Sequence, residues 1–189
     1  MSKVVVFMHL TLDGVMQAPG RPDEDQRDGF AHGGWARARG DAIAQAGSPG
    51  ASGGLLFGRR TYEDFFAVWP NQTNNPFTEV LNNTQKYVAS TTLAEPLPWQ
   101  NSTLLAGDAA SAVAALKQEP GPDLVVLGSG ELVQSLRPRA LVDEYVLMMH
   151  PLILGQGRRL FPEGAPADLR LAESVTTTTG VIIARYQAR

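Results

Sequence analysis

Three times in this chain a short apolar run stops on glycine or a hydroxyl-bearing residue. Leu55-Leu56-Phe57 leads to Gly58-Arg59-Arg60-Thr61, Val88-Ala89 to Ser90-Thr91-Thr92, and Leu124-Val125-Val126-Leu127 to Gly128-Ser129-Gly130. The first and third then continue into helix-forming sequence. Strands that are short and apolar at every position are covered on both faces, the signature of a mostly parallel sheet with helices packed over it. This repeated pattern constrains the fold more than any other feature and predicts an α/β architecture.

Length and composition agree with it. At 189 residues, 43% apolar and 19% charged, the chain reads as a single globular domain over 1–189. A net charge of -3 leaves no basic footprint for nucleic acid or an anionic membrane surface. The absence of cysteine excludes disulfides, thiolate metal sites, cysteine nucleophiles and iron–sulfur clusters. The apolar run Val4–Met8 is too short for a signal-peptide core, and no stretch approaches the ~20 apolar residues of a membrane span. A cytoplasmic protein is the expectation.

The remaining elements fill in around the three runs. Val4–His9 reads as a buried strand, and Leu10–Gly34 as a loop rich in Gly and Pro. Trp35–Ala46 has helix-forming composition interrupted by Arg39-Gly40-Asp41, and Ser48–Gly54 is a connector. Thr61 is placed to cap a helix with Glu63 and Asp64 in its first turn and an apolar face of Tyr62, Phe65, Phe66 and Trp69. Lys86–Ala89 and Leu104-Leu105 read as strands. Asp108 caps a helix running to about Gln118, and Leu132, Val133 and Leu136 share a helical face closed by Pro138. Tyr145–His150 is a strand, and Leu169–Val175 with Val181–Tyr186 around Gly180 forms a terminal β-hairpin.

In an open α/β sheet, ligands bind beyond the carboxyl ends of the strands. Helix starts there offer free N–H groups and a positive dipole to phosphate, and glycine lets the backbone approach an oxygen closely. Arg59 and Arg60 add charge, and Thr61, Ser90 and Thr91 add hydroxyls. Each piece also has a plainer reading, a tight turn for a glycine and a solvated helix start for the arginines. Only together do they describe a site for a ligand with several phosphates. Gly128-Ser129-Gly130-Glu131-Leu132-Val133 lacks the third glycine of a Rossmann fingerprint and comes late in the chain, and no P-loop is present. The same segment fails the GxSxG pattern of a hydrolase elbow. His9, His32 and His150 lie at no metal-ligand spacing, so no metal is expected.

With these segments in view, the chain resembles the dihydrofolate reductase-like superfamily. It is most similar to stand-alone proteins related to the C-terminal reductase domain of the bifunctional riboflavin biosynthesis deaminase/reductase. The carrying segments include Thr11–Val15, Gly33-Gly34-Trp35, Leu55–Glu63, Lys86–Thr92, Asp123–Gly130 and Leu141–Tyr145 through Pro151–Gly157, in the family's order. The resemblance implies one α/β domain with a central mixed, mostly parallel sheet flanked by helices. It also implies a homodimer and NADPH as cofactor, with a small heterocyclic substrate. It puts Gly58-Arg59-Arg60-Thr61 on the 2′-phosphate and pyrophosphate, with Arg59 on the 2′-phosphate, and Ser90 and Thr91 on the adenosine end. Gly128, Ser129, Gly130, Glu131 and Leu132 would hold the pyrophosphate and nicotinamide side. His9 falls where the family's backbone meets the cofactor's carboxamide.

The resemblance says less about the substrate side. No acidic residue matches the one that folate reductases carry on their first helix, which puts folate reduction in doubt. Asp13 falls near the place of nicotinamide and substrate, although an Asx-type turn before Gly14 is the favoured reading of it. Trp35 is read as a wall of the substrate pocket or as core, and Phe65 likewise. The competing readings are an NADPH-binding or regulatory protein that kept the fold without efficient catalysis, a folate or pterin reductase, and an unrelated Rossmann dehydrogenase that prefers NADH.

Overall fold

The computed structural model describes residues 1–46, 53–73, 75–162, 164 and 166–189. Its strands are β1 (Val4–Thr11), β2 (Gly54–Gly58), β3 (Lys86–Ser90), β4 (Ser102–Ala106), β5 (Leu124–Leu127), β6 (Glu144–His150), β7 (Leu169–Thr176) and β8 (Ile182–Ala188). The α-helices are α1 (Asp41–Ala46), α2 (Arg59–Val68), α3 (Pro76–Asn83), α4 (Ala109–Gln118) and α5 (Gly130–Leu136). The strands form one eight-stranded sheet in the order β4-β3-β2-β5-β1-β6-β8-β7. The α/β class, the mostly parallel sheet and the terminal antiparallel hairpin are as the sequence predicts. Two compact units are distinguished, Met1–Val5 with Pro49–Asp143 and Val6–Ser48 with Glu144–Arg189.

In the first unit, β2 pairs in parallel with both β3 and β5, and β3 with β4. Leu55, Leu56, Phe57 and Leu124–Leu127 are buried at every position, as two covered faces require. On the aromatic face of α2, Phe65 packs on Phe57, and Tyr62 meets Trp99 and Phe66. The buried Tyr62 hydroxyl accepts the Trp99 N–H. Asp108 caps α4 by accepting the Ser111 N–H, as predicted. α3 has no counterpart in the sequence reading. Its signal is Asn75-Pro76, in which the Asn75 side chain accepts the Phe77 N–H and Pro76 fills the first turn. Lys86 is fully buried at the end of α3. Its ammonium donates to the carbonyls of Leu81 (2.7 Å) and Thr84 (2.8 Å) and lies 4.7 Å from the centre of the Trp99 ring.

In the second unit, β8 pairs antiparallel with β6 and β7, and a bulge shifts the β7 register between Leu171 and Glu173. Val15, Ala18 and Phe30 form a small core with Trp35 and Leu154 packed against it. Asp41, at the start of α1, accepts hydrogen bonds from the Thr178 and Thr179 hydroxyls and so ties down the hairpin turn.

Two local expectations are corrected. The helix expected over Trp35–Ala46 is a turn at Trp35, a 3₁₀ turn at Arg37–Arg39 and the short α1. Gly34, at φ +80°, holds a turn there, and Gly40 separates the two helical pieces. Thr61 does not cap α2. Gly58 takes the cap position with extended backbone, so Thr61 is already the third helical residue and Glu63 and Asp64 lie beyond the first turn. Of the connector expected at Ser48–Gly54, residues 48–52 lie outside the described residues. Among the described residues, no helix is long and apolar enough to cross a membrane.

Candidate active site

The parallel register aligns the strand ends of the first unit. Gly58 is level with Ala89, and Leu56 with Val126, which carries Gly128 to the level of Gly58. Gly58, Ala89-Ser90 and Gly128 therefore line up at one end of the sheet, with helices beginning beside Gly58 and Gly128. The Gly58 N–H donates to the Ser129 hydroxyl (2.9 Å), which turns back to the Leu127 carbonyl (3.3 Å). The Ser129 hydroxyl thus stitches β2 to β5, leaving its backbone as the part available to a ligand.

Gly128 and Ser129 are successive left-handed residues, at φ +58° and +60°. Successive N–H groups in such a turn converge and form an anion-binding concavity. A Cβ on Gly128 would sit 3.3 Å from the Thr61 methyl group, on a backbone that L side chains rarely adopt. Thr61 thus packs against the turn. The first-turn N–H groups of α2 and α5 have no intrahelical acceptor. Gly130 and Leu132 are buried, which leaves their backbone as the part available to a ligand, and Glu131 is exposed. Arg59 is paired with Glu63 at 2.8 Å, and Arg60 is exposed. The Ser90 hydroxyl accepts the N–H groups of Thr92 and Leu93 and closes the turn after β3, leaving Thr91 exposed at its tip. Phe65 stays with Phe57 and Trp69 in the aromatic layer.

The second unit holds His9, Asp13 and Trp35. Asp13 anchors the 152–155 loop. Its carboxylate accepts the Thr11 hydroxyl (2.6 Å) and the N–H groups of Gly155 (2.8 Å) and Leu154 (3.3 Å). The Thr11 bond, with the backbone donors behind it, holds the Asp13 carboxyl below the usual carboxylate range. Asp13 is therefore ionised at neutral pH and carries no proton to give.

His9 lies within β1, which runs two residues beyond the Val4–His9 strand expected from the sequence. Its Nδ1 is 2.9 Å from Nε2 of His150. His150 is fully buried, with the Trp35 ring edge-on at 5.1 Å. Trp35 in turn donates its indole N–H to the Gln17 carbonyl (2.7 Å). Burial lowers both histidines, His9 to about 3 with His150 contributing, and His150 to about 4, with Arg39 lowering it further and Asp41 opposing. The pair escaped the sequence reading because 141 residues separate the two.

Buried Gln17 also donates to the Asp25 and Arg27 carbonyls and accepts the Arg158 N–H. It lines a cavity of about 170 Å³ with Arg27, Asp28, Phe30, Gln156, Gly157 and Arg158. That volume admits a small polar group and not a dinucleotide. Among the described residues, no group of three or more His, Cys, Asp or Glu is placed to hold a metal.

The Bacillus subtilis (strain 168) protein YyaP is 29% identical over 135 residues, covering 68% of this chain and 70% of YyaP. YwjB of the same organism is 33% identical over 64 residues, covering 34% of this chain and 37% of YwjB. A putative riboflavin biosynthesis protein from Shewanella sp. PV-4 superposes with a TM-score of 0.68 at 20% identity, covering 99% of both chains. A pyrimidine reductase-like protein from Corynebacterium diphtheriae superposes with a TM-score of 0.66 at 12% identity, covering 100% of this chain and 92% of the other. These two structural likenesses establish the fold. The RibD C-terminal domain matches residues 2–183, and the chain belongs to that family.

Proposed function

We propose that this protein is an NADPH-dependent reductase of a small heterocycle, of the kind that reduces 5-amino-6-(5-phosphoribosylamino)uracil in riboflavin synthesis. The observation that carries the reading is the level row of strand ends at Gly58, Ser90 and Gly128, with two helix starts and a left-handed Gly128-Ser129 turn. This is a backbone cradle that fits a pyrophosphate. Arg59 and Arg60 flank it, and Arg59 takes the 2′-phosphate by opening its pair with Glu63. Ser90 and Thr91 border the adenosine end, and Glu131 and Leu132 offer first-turn N–H groups. When bound, NADPH supplies the hydride. The chain's own residues hold its phosphates and orient it.

On the substrate side the reading keeps Trp35 as a wall and places Phe65 behind the α2 start. The protein acts as a cytoplasmic homodimer, which analytical ultracentrifugation checks. A second reading, a nucleotide-binding protein without turnover, draws support from Asp13, whose carboxylate is engaged by one hydroxyl and two backbone N–H groups. Mixing the protein with NADPH and the aminouracil phosphate, and following loss of the reduced-nicotinamide absorbance, separates the two. The reductase reading expects turnover with NADPH and little with NADH. Tight NADPH binding without turnover would leave the second reading.

A further inference from the structure

The structure assigns His150 as a positioning residue that holds His9 as a neutral imidazole with its proton on Nε2, presented as a hydrogen-bond donor to an uncharged carbonyl or ring-nitrogen acceptor. Only the last arm of the test below rests on the reductase reading.

Protons can be placed on the pair in two ways. Nδ1 of His9 and Nε2 of His150 share one hydrogen bond at 2.9 Å, so one of them carries the proton. If His9 donates, neutral His150 must carry its own proton on Nδ1. That atom is buried without any hydrogen-bond partner. The arrangement would therefore orphan a buried N–H, the rarer and costlier kind of unsatisfied group. If His150 donates from Nε2, its Nδ1 is bare, and the buried atom is a lone pair rather than a bond dipole. Arg39 and Asp41 are the charged groups that face His150, with opposite effects on its charging.

His9 must then carry its proton on Nε2. Its ring is half-buried and shares a sheet face with His150, whose ring the Trp35 edge pins in place. The outer nitrogen of His9 is therefore a fixed donor, with its tautomer set from behind by a residue that no ligand needs to touch. This is the logic by which the hydrogen bond at one ring nitrogen dictates the role of the other. Burial keeps both rings neutral well below pH 7, so the donor is uncharged. It suits the carbonyl or ring nitrogen of a heterocycle and offers no charge to a phosphate.

The test is a long-range ¹H–¹⁵N spectrum of ¹⁵N-histidine-labelled protein without nucleotide, with three histidines to assign. The expected spectrum shows His9 and His150 both protonated on Nε2 and unchanged between about pH 7 and pH 5. A His9 protonated on Nδ1, or either ring charging above about pH 6, would overturn the assignment. In His150→Phe, which keeps bulk and removes the donor, His9 should sample both tautomers while burial still holds it neutral. His150→Gln, whose amide N–H can donate, should restore the Nε2 form. If His150→Phe does not fold, the unmodified protein and the Gln variant still decide. With the aminouracil substrate, His9→Ala should raise KM about tenfold and His9→Gln should recover most of it, the size of one neutral hydrogen bond. The unmodified protein should hold KM flat from about pH 5 to 8, while His150→Phe raises KM by loosening the tautomer and adds no pH dependence in that range, because burial still keeps His9 neutral. An unchanged KM in His9→Ala would overturn the donor role even if the tautomer is as assigned.

Discussion

The parallel and antiparallel units place their chemistry in different materials. In the first unit the candidate site is almost entirely backbone: the Gly58 cap, the left-handed Gly128-Ser129 turn and the first-turn N–H groups of α2 and α5. Where side chains take part, as with the hydroxyls of Ser129 and Ser90, they mostly lock the backbone. In the second unit the candidate site is built from side chains that meet across the chain. His9 pairs with His150, Asp13 with the loop at Leu154 and Gly155, and Gln17 with Arg158. A parallel sheet aligns its strand ends automatically, so backbone suffices to build the candidate phosphate site there. An antiparallel sheet with long loops has no such shared end, and side chains must position everything.

The contrast is open to attack from either side. The largest effect is expected at Lys86, on which the first unit depends internally. Lys86→Met removes a buried cation and strands the carbonyls of Leu81 and Thr84, and should cost about 3 kcal/mol in chemical denaturation. Next is Gly128→Val, which forces a branched side chain onto left-handed backbone beside Thr61. It should cost about 2 kcal/mol and lower NADPH affinity at least tenfold. If nucleotide binding survives that change, the cradle is not a backbone device. In the second unit, Asp13→Asn should cost about 1 kcal/mol by weakening charge-assisted bonds to the 152–155 loop, read by the hydrogen-exchange rates of Leu154 and Gly155.

The effect that is smallest at neutral pH, and grows only in acid, is a pH slope. In the folded chain His9 and His150 titrate at about 3 and about 4, against 6.5 when exposed. Between those values the unfolded chain binds protons that the folded chain refuses. Stability is therefore constant above pH 6.5 and falls as pH drops from 6.5 toward 4, by up to ~1.4 kcal/mol per pH unit per histidine. His150→Gln should flatten that slope, as seen in denaturation midpoints at neutral and mildly acidic pH. An equal slope in both proteins would remove the pair from the account.

The same division explains what could be read from the residues alone. Gly58 and Gly128 were legible because a parallel strand, its glycine and its helix are contiguous in sequence. α4 was legible because Asp108 caps locally. The Trp35–Ala46 helix failed because Gly34 and Gly40 break the backbone where composition favours helix, and α3 passed unnoticed because its apolar face is short. Lys86 read only as the start of a strand, since nothing local announces that α3 brings its terminal carbonyls to it. His9–His150 and Asp13–Gly155 are separated by 141 and 142 residues, and no local pattern encodes such pairs.

The central claim is that the Gly58, Ser90 and Gly128 end of the sheet binds NADPH with Arg59 on its 2′-phosphate. Titration of Trp fluorescence with NADPH and with NADH, in the unmodified protein and in Arg59→Ala, tests it most directly. The account predicts saturable NADPH binding that weakens about tenfold in Arg59→Ala while NADH affinity stays unchanged. No response at millimolar NADPH, or an equal loss for both nucleotides, would contradict it.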